Sequence, residues 1–157
     1  MSSGKTYRAI CDENPHAALG RSVAYLMRKQ NFESLKFGAW SKILVGQINR
    51  KHYFFVLDNQ QVVGFAGWAL ATKDNALEWL NHNKPLAFDD SQEGDSMVIN
   101  AWAADTGSVN RFILRTLRKA AVGKSIYAKR FYSDGTTRLV NLSSNRFIEK
   151  HLQGSLR

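Results

Sequence analysis

The sequence holds one cysteine, Cys11, among 157 residues. An internal disulfide is therefore excluded, and cysteine this sparse fits a reducing cytoplasm, the expected location. Cys11 sits in a polar lead-in, where nothing favours a reactive thiolate. Long apolar runs are missing as well. The stretch from Val62 to Leu70 is far too short to cross a bilayer. The opening MSSGKTYRAICDENP has no apolar core behind its basic residues, which argues against a secretory signal. There are only two prolines and no low-complexity tract, so few disordered stretches are expected. The four histidines, His16, His52, His82 and His151, are scattered without ligand spacing, and Cys11 has no partner cysteine. No metal site is expected from such a set. A GxSxG elbow, a Walker loop and a GxGxxG turn are all absent.

What is present suits one globular domain spanning residues 1–157. Hydrophobic residues make up 44% and charged residues 22%, enough apolar material for a sizeable core. The net charge is +9, and its distribution is uneven. Residues 1–70 carry nine basic and four acidic side chains, residues 71–109 carry two and seven, and residues 110–157 carry eleven and two. A basic C-terminal third beside an acidic middle suggests an acidic partner.

Periodicity divides the chain into elements. Asn14-Pro15 reads as a helix start, with Leu19, Val23, Leu26 and Met27 at helical spacing behind it. A second helix is predicted over Leu35 to Ile48. HYFFVLD and VVGFAGWAL form a hairpin about Asp58-Asn59, and Gly64 and Gly67 mark a bulge or a close backbone approach. Thr72 caps a short helix, KDNALEWL. Leu86 to Gly94 is an acidic loop. After the next strand, Ser108 is expected to cap VNRFILRTLRKAAVG, with Val109, Phe112, Ile113, Leu117 and Ala120 facing inward and Gly123 closing the helix. SIYAKRFY and TRLVNL form a last hairpin through Asp134-Gly135, and NRFIEKHL a final short helix. This order predicts an α+β fold, a mostly antiparallel central sheet flanked by helices. Trp40, Trp79, Phe54 and Phe55 are expected in the core.

EGDSMVINAWAADTGS, residues 93–108, stands out. Its centre, Met97 to Ala104, reads as an interior strand, yet Asn100 interrupts it. A buried amide must be hydrogen-bonded or it costs a few kcal/mol, about 1–3, so Asn100 either knits the core or marks a working site. On the later strand, Tyr127, Phe131 and Tyr132 interleave with Lys129 and Arg130, a pattern able to stack bases. Alternation between two sheet faces explains it equally. With no helix-turn-helix, RRM or KH signature, nucleic acid is not the expected partner.

Taken together, ALGRSVAYLM, then HYFFVLDNQQVVGFAGWALATKDNALEWL, then EGDSMVINAWAA resemble the toxin-activating lysine acyltransferases of the haemolysin-C type. Trp68-Ala69 and Gly94-Asp95 fill two of that family's short motifs, and the similarity runs over roughly residues 15–145. The resemblance implies a fold like the GNAT acetyltransferases. It implies transfer of a fatty acyl group from an acyl carrier protein to a lysine of a toxin precursor, with no bound cofactor. A carrier donor agrees with the junction ADTGSVN, which has a single glycine, Gly107, where a coenzyme-A pyrophosphate loop needs several. An acidic carrier agrees with Arg111, Arg115, Arg118 and Lys119 as a partner-binding face.

The family assigns catalysis to a histidine after the first helix and an aspartate in the strand after Gly-Asp. Those positions here are Phe32 and Asn100. Asparagine holds a hydrogen bond but cannot serve as a general base, and phenylalanine moves no proton. The candidate catalytic residues are therefore Asn100, Asp95, Asp105 and His52. Phe32, Trp68 and Trp102, flanking the expected cleft, are the substrate-binding candidates. Two alternatives stay open: a non-catalytic peptide-binding homologue, and a subunit that works with a second maturation protein to attach a siderophore to the C-terminal serine of a microcin, as the resemblance also implies. Oligomeric state is open between homodimer and heteromer.

Overall fold

The computed structural model describes residues 6–131 and 137–143. Six strands form one sheet in the order β1 to β6, with helices packed on it. The fold is α+β, as the element order predicted. The chain packs as two compact units, Met1–Gly67 with Ala101–Leu114, and Trp68–Asn100 with Arg115–Arg157.

The first unit begins with a strand that periodicity did not reveal, β1 (Tyr7–Ile10). Helix α1 (Pro15–Leu26) starts where Asn14 and Pro15 dictate. The Asn14 side chain accepts from the His16 and Ala17 amides at 2.9 and 3.2 Å, satisfying two donors that a helix end leaves open. A single-turn helix, α2 (Gln30–Glu33), follows, and α3 (Phe37–Arg50) replaces the helix predicted over Leu35 to Ile48. Leu35 is exposed outside it, and the end falls at Lys51, in the left-handed conformation with φ 60°. Strand β2 (Tyr53–Asp58) pairs antiparallel with β1 and with β3 (Gln61–Ala71). Ala18, Leu26, Leu44, Phe55 and Phe65 form the core with Ala101 and Ala103.

Both strand glycines have a packing reason. Strand β3 carries a bulge: Val56 pairs with Gly64 but Leu57 pairs with Val62, so Val63 opposes no residue of β2. A Cβ on Gly64 would lie 2.8 Å from Val109 Cγ1 and 3.1 Å from Ile113 Cδ1, so helix α5 (Gly107–Ala120) rests on the bare backbone there. A Cβ on Gly67 would run into the amide of Gln47, which is fully buried.

In the second unit, Thr72 caps α4 (Lys73–His82) through the Asn75 amide at 3.2 Å, as expected. Strand β4 (Ser96–Ala104) runs parallel to β5 (Ser125–Phe131) over Ser96–Ile99, and β5 pairs antiparallel with β6 (Thr137–Ser143). A parallel pair needs a long crossover, and α5 supplies it. Ala71, Ala76, Leu80, Val98 and Tyr127 pack together. Trp79 is only half-buried, contrary to the core placement expected for it. Its ring carries the Lys129 ammonium 4.1 Å from the centroid. The acidic loop contains a short 3-10 turn, Asp89–Ser91.

The start of α5 corrects another expectation. Thr106, not Ser108, caps it, accepting from the Val109 amide at 3.3 Å. Ser108 turns to the Tyr7 hydroxyl, 2.7 Å away. The inward stripe is Val109, Ile113, Leu117 and Ala121; Ala120 is exposed. The 3.6-residue repeat carries the buried face one position past the expected alanine. The Asp134-Gly135 turn, Tyr132 and the last predicted helix, with His151, lie outside the described residues.

Candidate active site

The bulge in β3 has a chemical use. The Val63 carbonyl, set out of register with β2, accepts from the Asp105 amide and from the Tyr25 hydroxyl, each at 2.9 Å. The single proton of that hydroxyl is shared with Asp105 Oδ1, also 2.9 Å away. Lys29, at the start of α2, also reaches Oδ1, and its ammonium stands 4.7 Å from the centroid of the Tyr25 ring. Both donors meet at Oδ1, leaving Oδ2 without a protein partner among the described residues. Tyr25 is only 5% exposed. Burial first, then the Asp105 hydrogen bond and charge, push its hydroxyl far above the ordinary tyrosine range, so it stays a proton donor. Asp105 is thus an oriented, partly solvated carboxylate at the end of β4.

The other candidates sit differently. Asn100 is half-buried in the strand that suggested it, beside fully buried Ile99 and Ala101. Asp95 is exposed; it accepts from Ser96 Oγ at 3.2 Å, and its backbone carbonyl accepts from the Ser125 amide. His52 lies at the junction of α3 and β2, where its Nδ1 accepts from Arg50 Nε at 3.2 Å. Burial, then the neighbouring Arg50 charge, push its imidazole down to about 4. A histidine held neutral in this way is a weak base at pH 7.

Phe32 puts its ring edge on Trp40, 6.3 Å between centroids, and Phe37 does the same from 5.9 Å. The position that the family resemblance gives to a histidine is an aromatic cluster here. Trp68 is buried. Trp102 is half-buried, and its indole N–H has no hydrogen-bond partner among the described residues. On α5, Arg111, Arg115 and Lys119 are exposed, whereas Arg118 is half-buried.

Within the first unit the fold brings Asp105 to Tyr25 and Lys29, neither of which sequence reasoning selected. One signal was available for Tyr25: Ala18, Ser22, Tyr25 and Leu26 make the buried face of α1, so a polar-tipped ring among inward positions needs a partner. Nothing in the sequence signals Lys29. No group of three or more His, Cys, Asp or Glu side chains able to hold a metal occurs among the described residues. No helix among them is long and apolar enough to cross a membrane.

Comparison with known proteins adds two findings. The loading GNATL domain of CurA from Lyngbya majuscula superposes with a TM-score of 0.55 at 11% identity, covering 83% of this chain and 71% of that one. At that identity the likeness establishes the fold, which is GNAT-like. A comparison with individual curated proteins gave no match. The profile of the RTX toxin acyltransferase family, HlyC, matches residues 11–143. A match over most of the length means that the chain belongs to the RTX toxin acyltransferase family, whose activity class is acyl transfer in toxin maturation.

Proposed function

We propose that this protein, working as one acyltransferase domain in the cytoplasm, takes a fatty acyl group from acyl carrier protein and joins it to a lysine side chain of a peptide or protein toxin precursor. The family match over residues 11–143 carries the reading. Two features support the carrier as donor. The junction between β4 and α5 has only Gly107 in place of a glycine-rich pyrophosphate cradle, and the exposed Arg111, Arg115 and Lys119 suit an acidic protein.

In the proposed reaction the lysine nitrogen attacks the thioester carbonyl. The N–C bond forms, the C–S bond breaks, and the carrier leaves as its thiol. Two protons leave the acceptor ammonium in all, one of which ends on that thiol. Asp105 is the carboxylate best set to receive a proton, because Tyr25 and the Val63 carbonyl fix its direction. Asn100 takes a hydrogen-bonding role in β4, since an amide accepts no proton at neutral pH. Phe32 and Trp102, both half-buried in the first unit, contribute apolar surface for the acyl chain.

The test is intact mass spectrometry of a toxin precursor incubated with acyl carrier protein loaded with a fatty acid and the purified chain. An acyl increment on lysine that falls at least 100-fold in rate with Asp105→Asn is expected, in line with the roughly 10²–10⁴-fold worth of a positioned proton acceptor. An increment that appears only when a second maturation protein is added would replace this reading with a partner-dependent one. What supports that second reading is the presence of Phe32 and Asn100 at the positions the resemblance gives to the family's histidine and aspartate. No increment under either condition would leave a peptide-binding homologue.

A further inference from the structure

The Lys29 contact has a second meaning, which rests on the acyl-transfer reading. A primary ammonium lies against a tyrosine face at 4.7 Å and against a carboxylate oxygen that the tyrosine hydroxyl also holds. An acceptor lysine would present the same group in need of the same partners. We infer that Tyr25 and Asp105 form a seat for a primary alkylammonium, the acceptor side chain, and that Lys29 is a built-in occupant which the acceptor displaces.

The two halves of the arrangement differ in rigidity. The seat is fixed: Tyr25 is 5% exposed and bonded to the Val63 carbonyl, and the Asp105 backbone is tied to the same carbonyl. The occupant is soft. The Lys29 and Asp105 side chains are 30% and 35% exposed, and an ion pair that open to water contributes little. Lys29 is long, flexible and carried on a short turn, so swinging it into solvent costs little. A latch meant to hold α2 in place would do better with a buried pair. An occupant meant to leave does better with this one.

The placement also fits what the chain has exchanged. Lys29 is three residues from Phe32, and Asp105 five residues from Asn100, the two positions that the resemblance gives to the family's histidine and aspartate. An ionisable pair is therefore kept in the same two segments, with its cation supplied from within.

The experiment measures acceptor dependence and direct binding on the full chain. Lys29→Met should lower the acceptor KM about three- to five-fold with kcat maintained, because a competitor is removed. Lys42→Met, which deletes a charge from the exposed face of α3, is the control for net charge. Tyr25→Phe should raise KM and blunt the gain from Lys29→Met. Nα-acetyl-lysine amide, titrated by NMR, should shift signals of Tyr25 and Asp105 in Lys29→Met and lose that effect in Lys29→Met/Asp105→Asn. A Lys29→Met protein that transfers acyl groups no better than Lys42→Met, or binds the lysine amide no better than the double variant, overturns the seat. Binding of the lysine amide without any acyl transfer by the parent chain would overturn the acyl-transfer reading and leave the seat standing.

Discussion

Acidification should destabilise this protein through one histidine. In the folded chain the His52 imidazole is pushed down to about 4, by burial and then by Arg50. Its Nδ1 is committed as acceptor to Arg50 Nε at 3.2 Å, so protonation removes an acceptor and sets two cations side by side. The unfolded chain takes up the proton near the ordinary value of 6.5. The unfolded state therefore binds more protons between those values, and stability falls as pH drops. The contribution is fully present above 6.5 and is lost as pH descends through about 4. At about 1.36 kcal/mol per pH unit the ceiling is about 3 kcal/mol. His52 keeps partial contact with water, so screening reduces this to about 1–2 kcal/mol, about half of it already lost by pH 5. Urea unfolding of the parent and His52→Gln at pH 7 and pH 5 measures it, because glutamine stays neutral and keeps an acceptor for Arg50. The parent should lose about 0.5–1 kcal/mol more than the variant over that interval. Equal losses would refute the reasoning, since carboxylates titrating in the same range affect both proteins alike.

Three structural predictions accompany it. Gly94→Ala should abolish soluble, folded protein, because its Cβ would fall among the Ala71 backbone atoms at φ 154° and neither backbone can yield; recovery of a cooperative unfolding transition would contradict this. Gly67→Ala should cost about 1–3 kcal/mol in urea unfolding, because the buried Gln47 amide must move, and pairing it with Gln47→Ala should restore part of the loss. Thr106→Ala should lower stability by about 1 kcal/mol through the lost cap of α5, and more than Ser108→Thr, which keeps a hydroxyl for Tyr7; equal effects would mean that the cap does not hold the helix.

Local chemistry determined much of this fold in advance. Asn14-Pro15 starts α1 because an amide side chain and a ring without N–H suit a helix end, and no distant residue is required. Two apolar runs about a turn produce the β2–β3 hairpin for the same reason, with the turn at Asn59-Gln60, one residue past the expected Asp58-Asn59, and the run of Val109, Ile113 and Leu117 is legible as a buried stripe. Strand β1 is not legible in the sequence because its four residues form a strand only by pairing with β2, and the sequence does not tell Thr106 from Ser108 as the cap of α5 because both are suited by type. The site divides along the same line. Asp105, as a carboxylate beside an interior strand, and Phe32 and Asn100, as the residues the resemblance sets against a family histidine and aspartate, are legible in the sequence itself. That Val63 is bulged, that its carbonyl holds both Tyr25 and Asp105, and that Lys29 reaches both the Tyr25 ring and the Asp105 carboxylate required the tertiary structure. Tyr25 and Lys29 are separated from Val63 and Asp105 by dozens of positions, and a hydrogen bond across that distance depends on where the sheet sets each backbone, which composition and spacing do not carry.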